Sequence, residues 1–279
     1  MMHRRILLAV LAVLPLVAGC ATTKPKPGAS AQTAYVETKR VKALDADDPV
    51  PMSPERWAGP RRGLKGRTLT VASLGDIRLK YKEVVLTFDD GPVPGKTEKI
   101  LDTLDRHGVK ATFLMVGQMA DAYPAIARKV VARGHSIGSH TYRHPNLRGL
   151  GFDAAMTEIM KGERAVRKAS ATDPGFFRFP YLADTAKLRS ALAARGTVVM
   201  DVQIDSKDYF KSSPAAVTAR TMQTLRKRGS GIILLHDIHH RTGAMLPSLL
   251  AQLRAEGYSV VTLRHRRSRL PAVLASAAF

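Results

Sequence analysis

The chain has 279 residues, 45% of them hydrophobic, and its 44 lysines and arginines exceed its 23 aspartates and glutamates by 21 positive charges. This composition indicates one large or two small globular domains and excludes a chain that is disordered throughout. The positive charge allows nucleic acid, an anionic membrane surface or an anionic polymer as a partner. The basic residues are spread along the chain and only 6% of residues are aromatic, so we expect no nucleic-acid groove.

The first 20 residues have the pattern of an export signal. Arg4 and Arg5 precede the apolar run 6–17, which is too short to read as a membrane-spanning helix. The residues before Cys20 are small, and they resemble the lipobox of bacterial lipoproteins. The resemblance implies a signal peptide over residues 1–19, lipid attachment at Cys20, and a membrane-anchored lipoprotein at the periplasmic face or cell surface of a bacterium. The alternative is an ordinary signal peptide with an incidental cysteine.

Residues 20–66 are predicted to form a flexible linker and N-terminal arm. Their composition changes to Thr, Lys, Pro, Ala and Ser, and four prolines between residues 49 and 60 interrupt any regular periodicity. From residue 67 to residue 265 the pattern is regular, and we assign this range to one folded domain. Residues 266–279 carry further arginines and then an apolar end, which we interpret as a tail of that domain.

Within the domain, β-like runs alternate with helical segments. The predicted strands are 84–88, 111–116, 136–139, 176–179, 197–202, 231–235 and 258–262, with a further strand possible at 68–72. The predicted helices are 96–107, 124–133, 152–168, 185–195, 214–228 and 244–256. This alternation indicates an α/β fold with parallel strands and helical crossovers. An open sheet and a closed barrel share the pattern, so alternation alone does not separate them.

Polar side chains follow the carboxyl ends of five predicted strands. They are Asp89 and Asp90, His140 and His144, Arg178 and Tyr181, Asp205 and Asp208, and His236 and Asp237. In a barrel these strand ends converge on one mouth, whereas in an open sheet they would be strung along an edge. The pattern therefore favours a barrel, preceded by the flexible arm.

One carboxylate and two imidazoles form a candidate metal site. Asp90, His140 and His144 supply three ligands and leave a position for water, and one helical turn would bring the two histidines onto one face. The same donors could form the facial triad of a non-haem iron oxygenase. However, Asp89 can act as a base on water and His236 as an acid on a leaving group, a pair that an oxygenase does not need. Metal-assisted hydrolysis therefore fits these residues better.

Five segments of the chain occur in an order that is typical of one family. They are TFDDGP at 87–92, SHTYRHPNL at 139–147, FFRFPY at 176–181, DSKDY at 205–209 and ILLHD at 233–237. They resemble the motifs of the polysaccharide deacetylase family with the NodB homology domain, carbohydrate esterase family 4, over about residues 83–263. The resemblance implies a distorted (β/α)7-type barrel, in agreement with the seven strands counted independently.

The resemblance also implies a role for each matched residue. Asp89 would be the catalytic base, Arg178 would orient it, and Asp90, His140 and His144 would bind the metal. The fixed fork of an arginine suits a carboxylate better than a lysine would. The metal is expected to be Zn²⁺, with Co²⁺, Ni²⁺ or Mn²⁺ as alternatives, because such donors bind several divalent ions.

The remaining matched residues would handle the leaving group and the sugar. His236 would protonate the leaving amine, Asp208 would keep that imidazole charged, and the backbone N–H of Tyr181 would donate to the oxyanion. The resemblance places substrate contacts at three further residues, namely Pro180, Leu234 and Tyr209. Tyr209 stands where the family often has tryptophan, and it keeps a flat surface for stacking on a sugar. His239 and His240 could extend the substrate groove, but we interpret them as solvated loop residues.

These observations predict a membrane-anchored, metal-dependent enzyme that removes N-acetyl groups from sugars of an extracytoplasmic polysaccharide. Peptidoglycan, chitin-like oligosaccharides and poly-N-acetylglucosamine share the acetamido group, so the sequence leaves the polymer open. Two rival hypotheses also stay open. One is hydrolysis of O-acetyl groups or small non-sugar amides, and the other is binding to the cell envelope without catalysis.

Overall fold

The computed structural model describes residues 63–266. The predicted signal peptide, Cys20, the linker up to residue 62 and the tail from residue 267 lie outside the described residues. The strands are β1 (Lys65–Val71), β2 (Glu83–Asp89), β3 (Thr112–Met115), β4 (Ser136–Ser139), β5 (Phe176–Phe177), β6 (Val198–Val199), β7 (Ile204–Asp205), β8 (Gly231–His236) and β9 (Ser259–His265). The helices are α1 (Lys96–Arg106), α2 (Gly117–Ala122), α3 (Pro124–Ala132), α4 (Phe152–Ser170), α5 (Ala186–Ala194), α6 (Pro214–Arg228) and α7 (His240–Ala255).

Seven parallel strands, β2 to β8, form a nearly closed ring. β2 pairs with β3, and the ring continues through β4, β5 and β6. On its other edge β2 pairs with β8, which in turn pairs with β7. Within residues 63–266 no pairing joins β6 to β7, so the ring is open at that point. The prediction of a distorted parallel α/β barrel is confirmed.

Two predicted strands differ from those observed. The segment 197–202 does not form one strand: β6 ends at Val199, and β7 begins at Ile204. The carbonyl oxygens of Met200 and Asp201 accept hydrogen bonds from the Arg178 guanidinium, at 3.2 and 3.4 Å, and this diverts the chain from the sheet. The segment 258–262 is present in β9, but β9 pairs with β1 and with only the first two residues of β2. The ring therefore contains β7 in place of the last predicted strand.

β2 lies at the centre of the sheet, and all seven of its residues are buried. Its apolar run is hydrogen-bonded to strands on both edges, and both of its faces are covered by apolar side chains. Val84, Leu86 and Phe88 belong to the large cluster that includes apolar residues of α1 and α7. Val85 belongs to a second cluster with residues of β3, β5 and β8. Because side chains alternate along a strand, Asp89 follows Val85 onto the inner face of the barrel.

The helices cover the outside of the barrel. α7 packs against α1 and α6, and α4 packs against α2 and α3. Glycines in the left-handed conformation follow five of these helices, since Gly108, Gly134, Gly196, Gly229 and Gly257 all have φ between 65° and 80°. Among the helices of residues 63–266, none combines the length and the apolar character that crossing a membrane requires.

We predict that Gly162→Ala destabilises the domain, although alanine is the better helix former. Gly162 lies in α4 against the loop after β4, and an added Cβ would lie 2.4 Å from the Thr141 carbonyl carbon. Relieving this overlap should cost on the order of 1–3 kcal/mol, against roughly 1 kcal/mol gained from helix propensity. Gly149→Ala is the control, because nothing lies within 4 Å of its added Cβ. A urea midpoint of Gly162→Ala at or above that of wild type would contradict the packing.

Candidate active site

A cavity of about 420 Å³ opens at the carboxyl ends of the ring strands. Nine of the sequence-predicted site residues line it, namely Asp89, Asp90, His140, His144, Arg178, Tyr181, Tyr209, Leu234 and His236. Asp208 lies behind His236, to which it is hydrogen-bonded. Pro180 is buried at the start of the turn that carries Tyr181, and the structure does not bring it into the cavity. The barrel thus joins side chains that are far apart in the sequence.

Three of these side chains converge as metal donors. Asp90 Oδ1 lies 3.5 Å from His140 Nε2 and 3.4 Å from His144 Nε2, and the two nitrogens lie 3.2 Å apart. Asp90 Oδ1 is buried and has no hydrogen-bond partner among the described residues. A buried carboxylate oxygen without a partner is costly, and a cation between it and two imidazole lone pairs would remove that cost. The donor set therefore fits a divalent metal ion.

His140 is prepared for this role by its other ring nitrogen. Nδ1 lies 2.7 Å from the Arg178 carbonyl oxygen and donates its proton to it, which leaves the Nε2 lone pair facing Asp90. Burial lowers the pKa of His140 to about 3, so the ring is neutral at physiological pH, as a metal ligand must be.

The two histidines do not lie on a helix, and this part of the sequence interpretation is wrong. Residues 140–146 form an irregular loop in which Thr141 and His144 both have positive φ, at 65° and 61°. The His144 N–H donates to Thr141 Oγ1 at 3.0 Å and fixes the turn. The two imidazole centroids are 4.8 Å apart as a result. Left-handed backbone at residues other than glycine is strained, and such strain is common where side chains are positioned for function.

Asp89 forms a buried ion pair through one carboxylate oxygen, and its other oxygen, Oδ2, lies 3.8 Å from His140 Nε2, beside the metal donors. Arg178 Nη1 donates to Asp89 Oδ1 at 2.7 Å and to Thr87 Oγ1 at 2.8 Å. Burial raises the pKa of Asp89, and the charge of Arg178 opposes that rise. Thr87 was not predicted as a site residue. Its position could have indicated it, because it is a polar residue on the inner face of a buried strand, two positions before Asp89. The two neighbouring aspartates thus have the separate orientations that a base and a metal ligand require.

At the end of the neighbouring strand β8, beside Asp89, His236 is held by a carboxylate. Its Nδ1 lies 2.7 Å from Asp208 Oδ1, its backbone N–H donates to Asp208 Oδ2 at 2.8 Å, and the Thr242 hydroxyl donates to the same oxygen at 2.6 Å. Burial would lower the pKa of His236, but the hydrogen bond and the charge of Asp208 raise it to about 9. His236 is therefore an imidazolium at neutral pH, and its Nε2 remains for a substrate. No sequence motif indicated Thr242, which lies in α7.

Aromatic side chains stand at the edge of the cavity. Tyr181 has a φ of 58°, and its exposed ring lies edge-on to His144 at 4.8 Å. The Tyr209 ring lies edge-on to His236 at 5.5 Å, and its hydroxyl donates to Asp205 at 2.8 Å. Leu234 is 7% exposed and lines the cavity floor. Flat rings above a narrow apolar floor suit a sugar ring with a small acyl group beneath it.

Asp237 fixes the turn that follows Asp90, the candidate metal ligand. It accepts a hydrogen bond from the Gly91 N–H at 2.8 Å and another from the Thr97 hydroxyl at 2.6 Å. A Cβ at residue 91 would lie 2.0 Å from an Asp237 oxygen, so only glycine fits there. Burial raises the pKa of Asp237 to about 7. The sequence analysis placed Asp237 at a strand end without a role, and the structure shows that it ties β8 to the loop after β2.

Residues 76–200 match the family model described as polysaccharide deacetylase. A chitin deacetylase of Colletotrichum lindemuthianum is 33% identical over 192 residues, covering 64% of this chain and 77% of that protein. The chain belongs to the polysaccharide deacetylase family. Among solved structures, a peptidoglycan deacetylase of Bdellovibrio bacteriovorus superposes with a TM-score of 0.64 at 33% identity, covering 74% of this chain and 58% of the other.

Some relatives from this family are much longer than the shared domain. A peptidoglycan-N-acetylglucosamine deacetylase of Listeria monocytogenes is 32% identical over 182 residues, which are 65% of this chain but 38% of that protein. Family membership accounts for the barrel and for the five ordered motifs. Family membership does not identify the substrate of this chain, which depends on the chain's own residues.

We predict that the metal site and the base can be separated by mutation. His140→Ala and His144→Ala each remove one of three donors, so bound metal and activity should be lost together. Asp89→Asn keeps all three donors and removes only the base, so it should retain metal and lose turnover by roughly 10²- to 10⁴-fold. Elemental analysis of purified protein gives the metal stoichiometry. One equivalent of metal in the double histidine variant would disprove the ligand assignment.

Proposed function

We propose that this chain is a metal-dependent enzyme that hydrolyses N-acetyl groups on sugars of an extracytoplasmic polysaccharide. The observation that carries the proposal is the placement of two proton-transfer groups, Asp89 and His236, at the adjacent ends of the paired strands β2 and β8, in the cavity that holds the metal donors. Amide hydrolysis needs both groups, because water must lose a proton and the amine must gain one. The relatives are named as deacetylases, which supports hydrolysis of an acetyl group.

Asp89 is suited to take the proton of the attacking water. Its ion pair with Arg178 holds the carboxylate in one orientation, and burial raises its pKa, so it is a better base than an exposed aspartate. When bound, a divalent cation would polarise the acetyl carbonyl and lower the pKa of water. We propose Zn²⁺, held by Asp90, His140 and His144, with Co²⁺, Ni²⁺ or Mn²⁺ as alternatives. The Tyr181 N–H is our candidate donor to the oxyanion.

His236 is suited to complete the reaction. Attack of water on the carbonyl carbon gives a tetrahedral species, and cleavage of its C–N bond would expel a strongly basic amide anion unless the nitrogen is protonated. The imidazolium of His236 supplies that proton, and Asp208 stabilises the charge that His236 carries beforehand. The products are acetate and a free amino sugar.

The rim of the cavity favours a saccharide chain over a small amide. Four of the six exposed large hydrophobic residues of residues 63–266 lie at or next to it, namely Tyr181, Leu182, Tyr209 and Phe210. Such a surface can stack on several sugar rings in succession. The test is acetate release by the form lacking residues 1–20 from peptidoglycan, chitin oligosaccharides and poly-N-acetylglucosamine, with and without a chelator. Release from small amides or O-acetyl esters alone would favour the rival hydrolase.

We expect a bell-shaped dependence of kcat/KM on pH. His236 must be protonated, and with a pKa of about 9 it loses its proton as the pH rises through that value, so activity falls on the basic side. Asp208→Asn removes the charge that raises this pKa, and burial then lowers it, so the basic limb should move to lower pH. Bound metal should be unchanged in this variant. An unshifted basic limb would show that another group produces it.

The role of His236 as proton donor can be tested with a second substrate. His236→Ala should lower turnover of an acetamide by roughly 10²- to 10⁴-fold, because the amine no longer receives a proton. An activated acetyl ester releases its alcohol without protonation, so its turnover should fall far less. Equal losses on both substrates would assign His236 to substrate positioning instead.

We also propose that the protein is exported and anchored to a membrane by a lipid on Cys20. The support is the basic start, the apolar run and the small residues before Cys20, all outside the described residues. Cys20→Ala should prevent lipid attachment and leave uncleaved precursor. Mass spectrometry detects the lipid and the cleavage, and membrane fractionation shows whether the chain is anchored, with the wild-type chain as control. Normal maturation and fractionation of the variant would leave only an ordinary signal peptide.

A further inference from the structure

We infer that a cationic cavity beside the active site binds a carboxylate carried by the glycan substrate. The cavity has a volume of about 590 Å³ and lies where α1 and α7 begin and where the chain enters α6. Lys96, Lys211 and Arg241 contribute three cations to its lining, and no carboxylate lines it. The inference rests on the proposed function, because it specifies which acetylated polymer the same site would accept.

The three cations are not neutralised by the protein. Within residues 63–266, none of them forms an ion pair with a carboxylate. Lys96 instead donates to the Ile238 carbonyl oxygen at 2.8 Å, and Arg241 donates to the Phe210 carbonyl oxygen. By comparison, Arg189 contacts both Asp184 and Asp201. Cations held by neutral acceptors keep a positive potential that an anionic ligand can satisfy.

The cavity is directly connected to the catalytic acid. His239 lines both this cavity and the active site, and its ring centroid lies 5.9 Å from that of His236. Phe210, whose carbonyl holds Arg241, packs on Tyr209 at 4.7 Å, and Tyr209 packs on His236. The cations therefore lie beside His236, which is proposed to protonate the leaving amine. We expect the sugar that carries this amine to lie close enough for a substituent next to it to reach them.

The position of the cavity selects the kind of anion. A ligand there must be part of the sugar that carries the acetamido group, or of a sugar next to it. Chitin and poly-N-acetylglucosamine have no anionic substituent. In peptidoglycan the lactyl carboxyl of muramic acid is amide-linked to the peptide stem, and it is a free carboxylate on the sugar next to N-acetylglucosamine where that stem has been removed. The cavity therefore favours peptidoglycan strands without peptide stems among the three polymers. His239, interpreted from the sequence as a solvated loop residue, is half-buried between the two sites.

The start of α7 also contributes to the positive potential of the cavity. α7 is 16 residues long, and the side chain at its N-cap, His239, makes no capping hydrogen bond. The first N–H groups of a helix have no partner within it, and they favour a negative charge nearby. Burial lowers the pKa of His239, so this ring contributes hydrogen bonding rather than charge at neutral pH.

The test compares two oligosaccharides that differ in one group. One alternates N-acetylglucosamine with N-acetylmuramic acid, and in the other each carboxylate is converted to a primary amide. With the full chain in detergent, we expect kcat/KM to favour the free acid by on the order of tenfold, with the difference mainly in KM. The preference should decrease as salt is added, because these cations are partly solvated.

The variant Lys96→Gln/Lys211→Gln should abolish most of this preference. Arg241 is kept, because its bond to Phe210 also supports Tyr209. Lys99→Gln/Lys227→Gln is the matched control, since these exposed lysines lie on α1, which carries Lys96, and on α6, which follows Lys211, but do not line the cavity. It removes the same charge and should keep the wild-type preference. Thermal unfolding shows whether both variants are folded.

Binding measurements separate this inference from the proposed function. Calorimetric titration with both oligosaccharides needs no turnover, so it detects the carboxylate preference even if no acetate is released. Tighter binding of the free acid, lost only in the cavity variant, supports the inference. An equal affinity of wild type for acid and amide, or a preference that survives Lys96→Gln/Lys211→Gln, would overturn it. Absence of acetate release from both substrates would instead count against the deacetylase activity.

Discussion

Arg178 is 1% exposed, and because an arginine keeps its charge at physiological pH, its buried guanidinium requires acceptors around it. The acceptors come from separate parts of the barrel: Asp89 and Thr87 of β2, and the backbone carbonyls of Met200 and Asp201. The Arg178 carbonyl also accepts the His140 Nδ1 proton. One residue therefore holds the candidate base, orients a candidate metal ligand and binds the chain between β6 and β7. Each of these features loses its support if the guanidinium is removed.

Two carboxylate–cation pairs lie next to each other at the ends of the paired strands β2 and β8, and their chemistry is opposite. In the pair of Asp89 and Arg178, the carboxylate is the candidate proton acceptor, and the guanidinium holds it in place. In the pair of Asp208 and His236, the carboxylate stays ionised and the imidazole carries a transferable proton. In the proposed reaction, one pair therefore takes a proton and the other delivers one.

The sequence by itself determined the fold class and most of the site. The alternation of apolar runs with helical segments reports which local stretches are buried on one face, and this is enough to predict a parallel α/β barrel. The grouping of Asp89, Asp90, His140 and His236 was also predictable, because strand ends in a barrel meet at one mouth. Predictions that depend on local conformation were less successful. The four-residue spacing of His140 and His144 suggested a helix, whereas the Thr141 hydroxyl and left-handed backbone form an irregular loop.

Only the tertiary structure decided which side chains support the catalytic ones. Thr87, Thr242 and Asp237 have no distinctive spacing, and each becomes important because a distant element is placed against it. The split of the predicted strand 197–202 also involves a contact between segments, since Met200 and Asp201 accept hydrogen bonds from Arg178, which follows β5. The cationic cavity combines Lys96, Lys211 and Arg241 from three elements. Local periodicity reports burial along one segment, but contacts between segments arise only when the ring of strands is assembled.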